Sequence, residues 1–462
     1  MSELMNFNLY DSAARVKRPV PHQGARVTIY SCGPTVYDRP TLGNMRTMMF
    51  YDWVARSLRW LGYQPERTMN YTDVGHLVSD ADEGEDKLAK KAAQTRQTAW
   101  QVAEANIKLF DEDAAALNIL PPEHLLRATE EIAPMINLIK RLEERGHTYQ
   151  IEDGLYFDTS TYPGYGSVAH LDLEGQQAGA RVAVAAGKKH PADFALWKTS
   201  PKDQKRDMEW ESPWGVGFPG WHIECSAMAM KTLGETIDLH LGGIDLLPVH
   251  HENEAAQSEA ATGQPFVRHW THAEHLLIDG QRMGKSLGNS FTLDVVQAHD
   301  FTPLDYRYMA AQTHYRAKMN FTWEGLAAAA QGRQRLAKKV AALSADAQPA
   351  DGELASRVTA AVADDMNLSA ALAAVWQAVN SEQPPSRPFV LDLDRRLFGF
   401  SLDDSADIPL PPDLQAKFDE REAARQNKDF ATSDRLRDEL AAAGVKVEDG
   451  PEGSTFTYDK VS

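Results

Sequence analysis

Val27-Thr-Ile-Tyr-Ser-Cys-Gly-Pro-Thr-Val-Tyr-Asp-Arg-Pro-Thr-Leu-Gly-Asn44 is the stretch that decides the fold. Val27 to Tyr30 is a short β-branched and aromatic run, which reads as a buried strand. Cys32-Gly33-Pro34 breaks it, and Thr41-Leu42-Gly43-Asn44 leads into an amphipathic helical pattern from Met45 to Leu61. Strand, glycine-bearing loop and helix N-terminus together suit a phosphate. The free N–H groups of a first helical turn point at an anion, and the helix dipole favours it. Gly43 lets backbone approach such a ligand closely, and Asn44 is placed to cap the helix or to donate to it. An ordinary strand-to-helix turn has the same residues, and this stretch alone leaves both readings open.

Outward from it, Tyr63 to Asp73 reads as a second strand and a loop, the rhythm of a parallel α/β sheet. An acidic loop (79–87) precedes a long helical stretch, Leu88 to Leu117. Pro121-Pro122 marks a break, and Leu125 to Arg145 reads as another helix, stopped by Gly146. Strands follow over 148–159 and 193–198, around a mobile loop at 176–190. A turn-rich segment runs into a helix through Met230. A strand (237–241), a helix from about His250 to Ala261 and a polar loop (278–290) come next. From Pro303 to about Phe398 the pattern is mostly helical. A linker rich in Asp and Pro (403–412) precedes two charged helices (414–427, 431–443) and a strand–turn–strand over 445–458.

A chain of 462 residues should divide into two to four domains. It has no run of 18 or more apolar residues, and Met-Ser-Glu-Leu at the start lacks a signal-peptide profile, so a cytoplasmic protein is expected. In a reducing compartment a structural disulfide between its two cysteines, Cys32 and Cys225, is not expected. A formal net charge of −18 argues against a general nucleic-acid coat but leaves room for one shaped RNA on a local patch.

His250 and Glu254 stand four apart, on one face of a helix, a spacing that suits two ligands of one metal. With Cys32 and Cys225 they make a set of two sulfurs, one nitrogen and one oxygen, which would suit zinc. A solvated His/Glu face and two small core cysteines explain the same residues, and spacing does not choose between them. Gly280-Gln-Arg-Met-Gly-Lys-Ser286 is a basic loop in which Lys285 can bring a positive charge to a phosphate, or simply be solvated. It lacks the upstream glycine of a P-loop.

The order of parts resembles the class I aminoacyl-tRNA synthetases, and within them the cysteinyl-tRNA synthetase family. The resemblance runs over nearly the whole chain. It is carried by Cys-Gly-Pro-Thr-Val-Tyr-Asp (32–38), Gly-Trp-His-Ile-Glu-Cys-Ser (220–226), Val-His-His-Glu-Asn-Glu (249–254) and Lys-Ser-Leu-Gly-Asn (285–289). His314-Tyr-Arg316, Asn320-Phe-Thr322 and Glu448-Asp-Gly-Pro-Glu-Gly453 add to it. It implies a zinc ion on Cys32, Cys225, His250 and Glu254 that binds the substrate thiolate, with Gly33, Thr72 and Trp221 shaping the amino-acid pocket. A borderline-soft zinc separates thiolate from hydroxyl far better than a hydrophobic pocket can, so no editing domain is needed. Thr41, Gly43, Asn44, Lys285 and Ser286 would bind ATP with Mg²⁺, and Thr41, Asn44 and Lys285 would stabilise charge on the phosphates.

The fold implied is α/β. A parallel-sheet, Rossmann-like nucleotide-binding domain (20–117 and 205–290) is split by a connective insertion (118–204). A stem-contact region (291–325), a helical bundle (326–402) and a small mixed anticodon-binding unit (410–462) follow. The partners implied are ATP, L-cysteine and tRNA(Cys), no membrane, and a monomer. The chain departs from the family at Thr41, where a phosphate-contacting histidine is usual, at Gly284, where a serine is lost, and at Phe218, which replaces an arginine. Two rivals are a cysteine-activating ligase that uses an amino sugar in the mycothiol pathway, which residues 413–458 disfavour, and a synthetase paralogue that binds RNA or ATP without charging it.

Overall fold

The computed structural model describes residues 4–75, 87–172, 187–201, 206–284, 287–403, 412–450 and 453–458. Most of the acidic loop at 79–87, of the loop at 176–190 and of the linker at 403–412 lies outside them. So do Lys285 and Ser286.

The opening stretch folds as its pattern indicates. Strand β1 (Arg26–Ser31) is followed by helix α1 (Leu42–Trp60). Val27 and Ile29 enter one core with Met45, Met49 and Val54 of α1, while Tyr30 and Cys32 enter a second core on the other face of the sheet. α1 ends where Gly62 takes φ +93°, a conformation that a side chain would strain. Strand β2 (Gln64–Tyr71), helix α2 (Ala99–Ala116), strand β3 (His124–Arg127) and helix α3 (Ile132–Glu144) follow. After the insertion come helix α4 (Trp221–Leu233), strand β4 (Leu239–Gly243), helix α5 (Glu252–Thr262) and strand β5 (Trp270–Ala273). The five strands form one parallel sheet in the order β5-β4-β1-β2-β3. The chain reverses its direction of travel across the sheet between β1 and β4, and in open parallel sheets that switch point opens a crevice at the strands' carboxyl ends.

Two expectations about local structure are corrected, and the mostly helical region gains one short strand. Leu88–Leu117 is two helices, Lys87–Thr95 and α2, parted at Arg96 (φ 57°). Thr98 then starts the second with a capping box to Gln101, without any glycine or proline to announce the break. Leu125–Arg145 is not one helix either, because His124–Arg127 pairs along β2 and satisfies that strand's open edge before α3 begins. Within the helical region, Met319–Phe321 is a strand parallel to Leu276–Ile278. The C-terminal unit is close to expectation. Helices Pro412–Gln426 and Phe430–Ala442 and an antiparallel hairpin (445–450 with 453–458) enclose a small core of Leu414, Phe418, Leu440, Val445 and Val447.

Among the described residues, no helix is long and apolar enough to cross a membrane.

Candidate active site

A cavity of about 320 Å³ opens at the switch point. It brings together eight of the residues singled out in the sequence: Cys32, Gly33, Thr41, Asn44, Thr72, Trp221, Cys225 and His250. Gly33 is there of necessity, since a Cβ on it would overlap the carbonyl oxygen of Asn70. Asn70, which sequence reasoning missed, organises this wall. Its Oδ1 accepts from Gly33 N (3.1 Å) and Tyr30 Oη (3.0 Å), and its Nδ2 donates to Thr72 Oγ1 (3.0 Å). Asp245 was also missed. Its carboxylate lines the cavity and folds back over Gly243, where a Cβ would crowd it.

Below the cavity the four expected metal ligands converge, although they come from the residue just after β1, from α4, from the π-helical turn Leu247–His251 and from α5. Their ligand atoms all lie within 4.8 Å of one another, and all four residues are buried. Cys32 Sγ is 3.9 Å from Cys225 Sγ and 3.6 Å from Glu254 Oε1, and His250 Nε2 is 3.0 Å from that same oxygen. Burial works against charge here, yet His240 and His250 hold the Glu254 carboxyl down at about 2. Against the same burial, Cys32 and His250 lower Cys225 to about 6, while Glu254 and Cys225 raise His250 to about 10. Burial holds the Cys32 thiol well above its usual value, so His250 answers the charge of Glu254 and Cys225, and the two sulfurs, imidazole and carboxylate brought together here are a donor set that fits zinc.

Sequence reasoning missed the histidines around this cluster. His240 Nε2 lies 3.1 Å from Glu254 Oε2, and His251 Nε2 lies 3.4 Å from Cys32 Sγ. His251 Nδ1 in turn meets His272 Nε2 at 2.8 Å. Cys32, His240, His251 and Glu254 make a second four-donor group that shares two members with the first. Burial, then the neighbouring histidines, push His251 well below its usual value, so it stays neutral and orients Cys32. A signal existed for His240: a histidine between Leu239 and Leu241 in an apolar strand has to face something polar.

At the other end of the cavity, Thr41 caps α1. Asn44 N donates to Thr41 Oγ1 (3.3 Å), and Thr41 N and Oγ1 both donate to Asn44 Oδ1 (3.0 and 2.7 Å). Leu42 N is taken by Phe291 O at 2.8 Å, so this N-terminus has fewer unengaged donors for an anion than its sequence suggests. Met283 lies over Gly43, where a Cβ would come within 2.6 Å of its Cε. Asn289 braces the stem of that loop, accepting from Gly284 N (2.8 Å) and donating to Arg282 O (3.2 Å). Phe218, the third departure, carries the Arg206 guanidinium 3.8 Å over its ring.

The fold and this site define a class I aminoacyl-tRNA synthetase. Residues 19–331 match the family described as tRNA synthetases class I (C) catalytic domain. In fold, the chain aligns at a TM-score of 0.54 and 15% identity with Mycobacterium tuberculosis methionyl-tRNA synthetase in complex with methionyl-adenylate, over 83% of this chain and 89% of that one. More narrowly, the chain belongs to the cysteine–tRNA ligase family. It is 45% identical over 454 residues to cysteine–tRNA ligase 1 of Burkholderia lata, covering 97% of this chain and 96% of the relative. With the cysteine–tRNA ligase of Thermus thermophilus the identity is 40% over 485 residues, covering 99% and 100%. Residues 408–456 match the cysteinyl-tRNA ligase anticodon binding domain.

Proposed function

We propose that this chain joins L-cysteine to ATP as cysteinyl-adenylate and passes the cysteine to the 3′ end of tRNA(Cys), acting as a monomer. The observation that carries the reading is one cavity with a buried S₂NO donor set at its floor and the capped N-terminus of α1 at its mouth. Cys32, Cys225, His250 and Glu254 would hold zinc, which when bound supplies selection of thiolate over hydroxyl. Gly33, Thr72 and Trp221 fix the amino acid beside it, with the Trp221 ring 4.2 Å from that of His250. The cysteine carboxylate then faces the α-phosphate of ATP, and attack releases pyrophosphate. Positioning and charge stabilisation supply the rate: Thr41, Asn44, the α1 N-terminus, Lys285 and Ser286 act on the phosphates, with Mg²⁺ accompanying ATP. The match to an anticodon-binding domain disfavours an amino-sugar acceptor. Within that unit Phe430 is 63% exposed, an aromatic face suited to unstacked bases.

Cysteine-dependent ATP–pyrophosphate exchange tests the reading. Purified protein should carry one zinc, exchange with cysteine and ignore serine. A chain ending at residue 403 should keep exchange and charge tRNA poorly. No cysteine-dependent exchange in metal-replete protein would end the proposal.

Thr41→Ala separates two roles of that side chain. Losing the cap should cost about 1 kcal/mol of stability. Losing a hydroxyl that donates to a phosphate should slow adenylate formation about 10- to 100-fold, with cysteine affinity unchanged. Single-turnover adenylate formation and thermal melting measure the two. A lowered melting temperature with a wild-type rate would leave Thr41 a cap only.

A further inference from the structure

Asn70 stands behind the wall of the cavity, not in it. It is the last residue but one of β2, and Met69 and Tyr71 on either side of it turn into one core. Asn70 takes the opposite face, fully buried, beside Tyr30 and Cys225 of the second core. A buried amide in a strand lowers stability unless its polar atoms are matched, and an apolar side chain would fill the place without that requirement. Here they are matched. Two of the three hydrogen-bond partners, Gly33 and Thr72, are residues that line the cavity.

The partners fix the direction of each bond. Gly33 N can only donate, so it must meet Oδ1 and not Nδ2 (3.1 Å). Tyr30 Oη donates to the second lone pair of that oxygen (3.0 Å). Nδ2 is thereby turned to Thr72 Oγ1 (3.0 Å), so the threonine oxygen accepts there and its own hydrogen points elsewhere. The backbone already brings these segments together, with Thr72 N donating to Pro34 O (3.0 Å) and Val36 N to Thr72 O (3.3 Å). Those bonds set how close the two loops lie but leave the Thr72 hydroxyl free to rotate. Only a side-chain partner removes that freedom, and groups held in place before a ligand arrives lose less entropy on binding it. We propose that Asn70 is a positioning residue for amino-acid binding: it holds the Gly33 peptide and sets the sense in which the Thr72 hydroxyl is presented to the substrate. This rests on the reading of Gly33 and Thr72 as groups that fix the substrate cysteine.

Asn70→Ala in the full-length, zinc-loaded protein should raise KM for cysteine about tenfold in pyrophosphate exchange, the scale of one lost buried hydrogen bond. KM for ATP and the zinc content should not change. Asn70→Asp has nearly the same shape and keeps an acceptor for Gly33 N, so it guards against a misfolded alanine variant. It offers Thr72 only an oxygen, which forces the hydroxyl to turn round and donate, and KM for cysteine should rise about threefold or more. In a Thr72→Ala background that partner is gone, and Asn70→Asp should then raise KM by less than it does alone. An unchanged cysteine KM in Asn70→Asp overturns the proposal. So does an undiminished rise in the Thr72→Ala background, which marks an effect of the added charge. Equal rises in KM for cysteine and ATP, or loss of zinc along with cysteine affinity, mark a structural role and overturn it too. Calorimetric binding of cysteine repeats the comparison without turnover, so a failure of the cysteine-activating reading is seen separately, as absent exchange in the unmutated protein.

Discussion

Cys225→Ser is expected to remove zinc and cysteine activation together. Cys225 is 1% exposed and is one of two sulfurs in the donor set, so the variant exchanges a soft anionic ligand for a neutral hydroxyl. The Glu254 carboxylate would then have less help in holding a dication in a buried site, and metal affinity should fall by more than about 100-fold. Lewis-acid contacts of this kind are worth several kcal/mol, and about 4 kcal/mol corresponds to roughly 10³ in rate. Cysteine-dependent exchange should therefore drop by about 10³-fold or more. Serine is smaller than cysteine and the Asn70 Oδ1 lies 3.8 Å from Sγ, so the hydroxyl keeps a polar neighbour and the fold should survive. Metal analysis, exchange and melting on one preparation decide the matter. A variant that binds no zinc yet activates cysteine at the wild-type rate would detach the cluster from catalysis.

What the sequence reveals here, and what it hides, follows from physical range. β1, α1 and the C-terminal unit are legible because their patterns are local: β-branched residues up to Tyr30, an amphipathic run from Met45, alternation over 445–458, although the cap of α1 falls on Thr41 with Asn44 as its N3 partner. β3 is not, since Leu125-Leu126 fits a helix as well as a strand and only the open edge of β2 decides. At the site, residue types and the His250/Glu254 spacing offer the metal set, and the family resemblance chooses it over a solvated face and two core cysteines. Asn70, His240 and His251 do not, because their roles depend on which strand faces lie together. Asn70 and Tyr30 are 40 positions apart yet bonded, as are His251 and Cys32 across 219 positions. The phosphate reading of the α1 N-terminus is incomplete for a similar reason. Phe291 approaches from far along the chain and takes the Leu42 N–H.

The junction between α1 and the helical region sets the second large effect. Helix α6 (Pro303–Ala311) carries Arg307, fully buried, whose Nη2 donates to Asp52 Oδ2 (2.5 Å) in α1. The same guanidinium donates to Phe398 O (2.7 Å) and Leu117 O (2.8 Å). Arg56 joins from α1, donating to Asp52 (2.7 Å), Asn118 O (2.8 Å) and Arg395 O (2.6 Å). One carboxylate and two guanidiniums thus tie the catalytic domain to helices far along the chain. Arg307→Met leaves the Asp52 charge half-compensated and strips donors from two buried carbonyls. Breaking a buried pair in this way typically costs about 3–5 kcal/mol. The apparent Tm should fall by about 3–5 °C, measured by calorimetry. Removing the stranded charge as well, in Asp52→Leu with Arg307→Met, should cost less than the two single losses added together. Burial alone would raise Asp52, but Arg307 and Arg56 hold it below its ordinary value. Its contribution to stability is therefore complete above about pH 3.9 and is lost as pH falls through the lower folded value. In Arg307→Met that acid sensitivity should shift upward in pH. A variant with unchanged Tm and an unchanged acid profile would show that the apolar packing around the junction holds it without the charges.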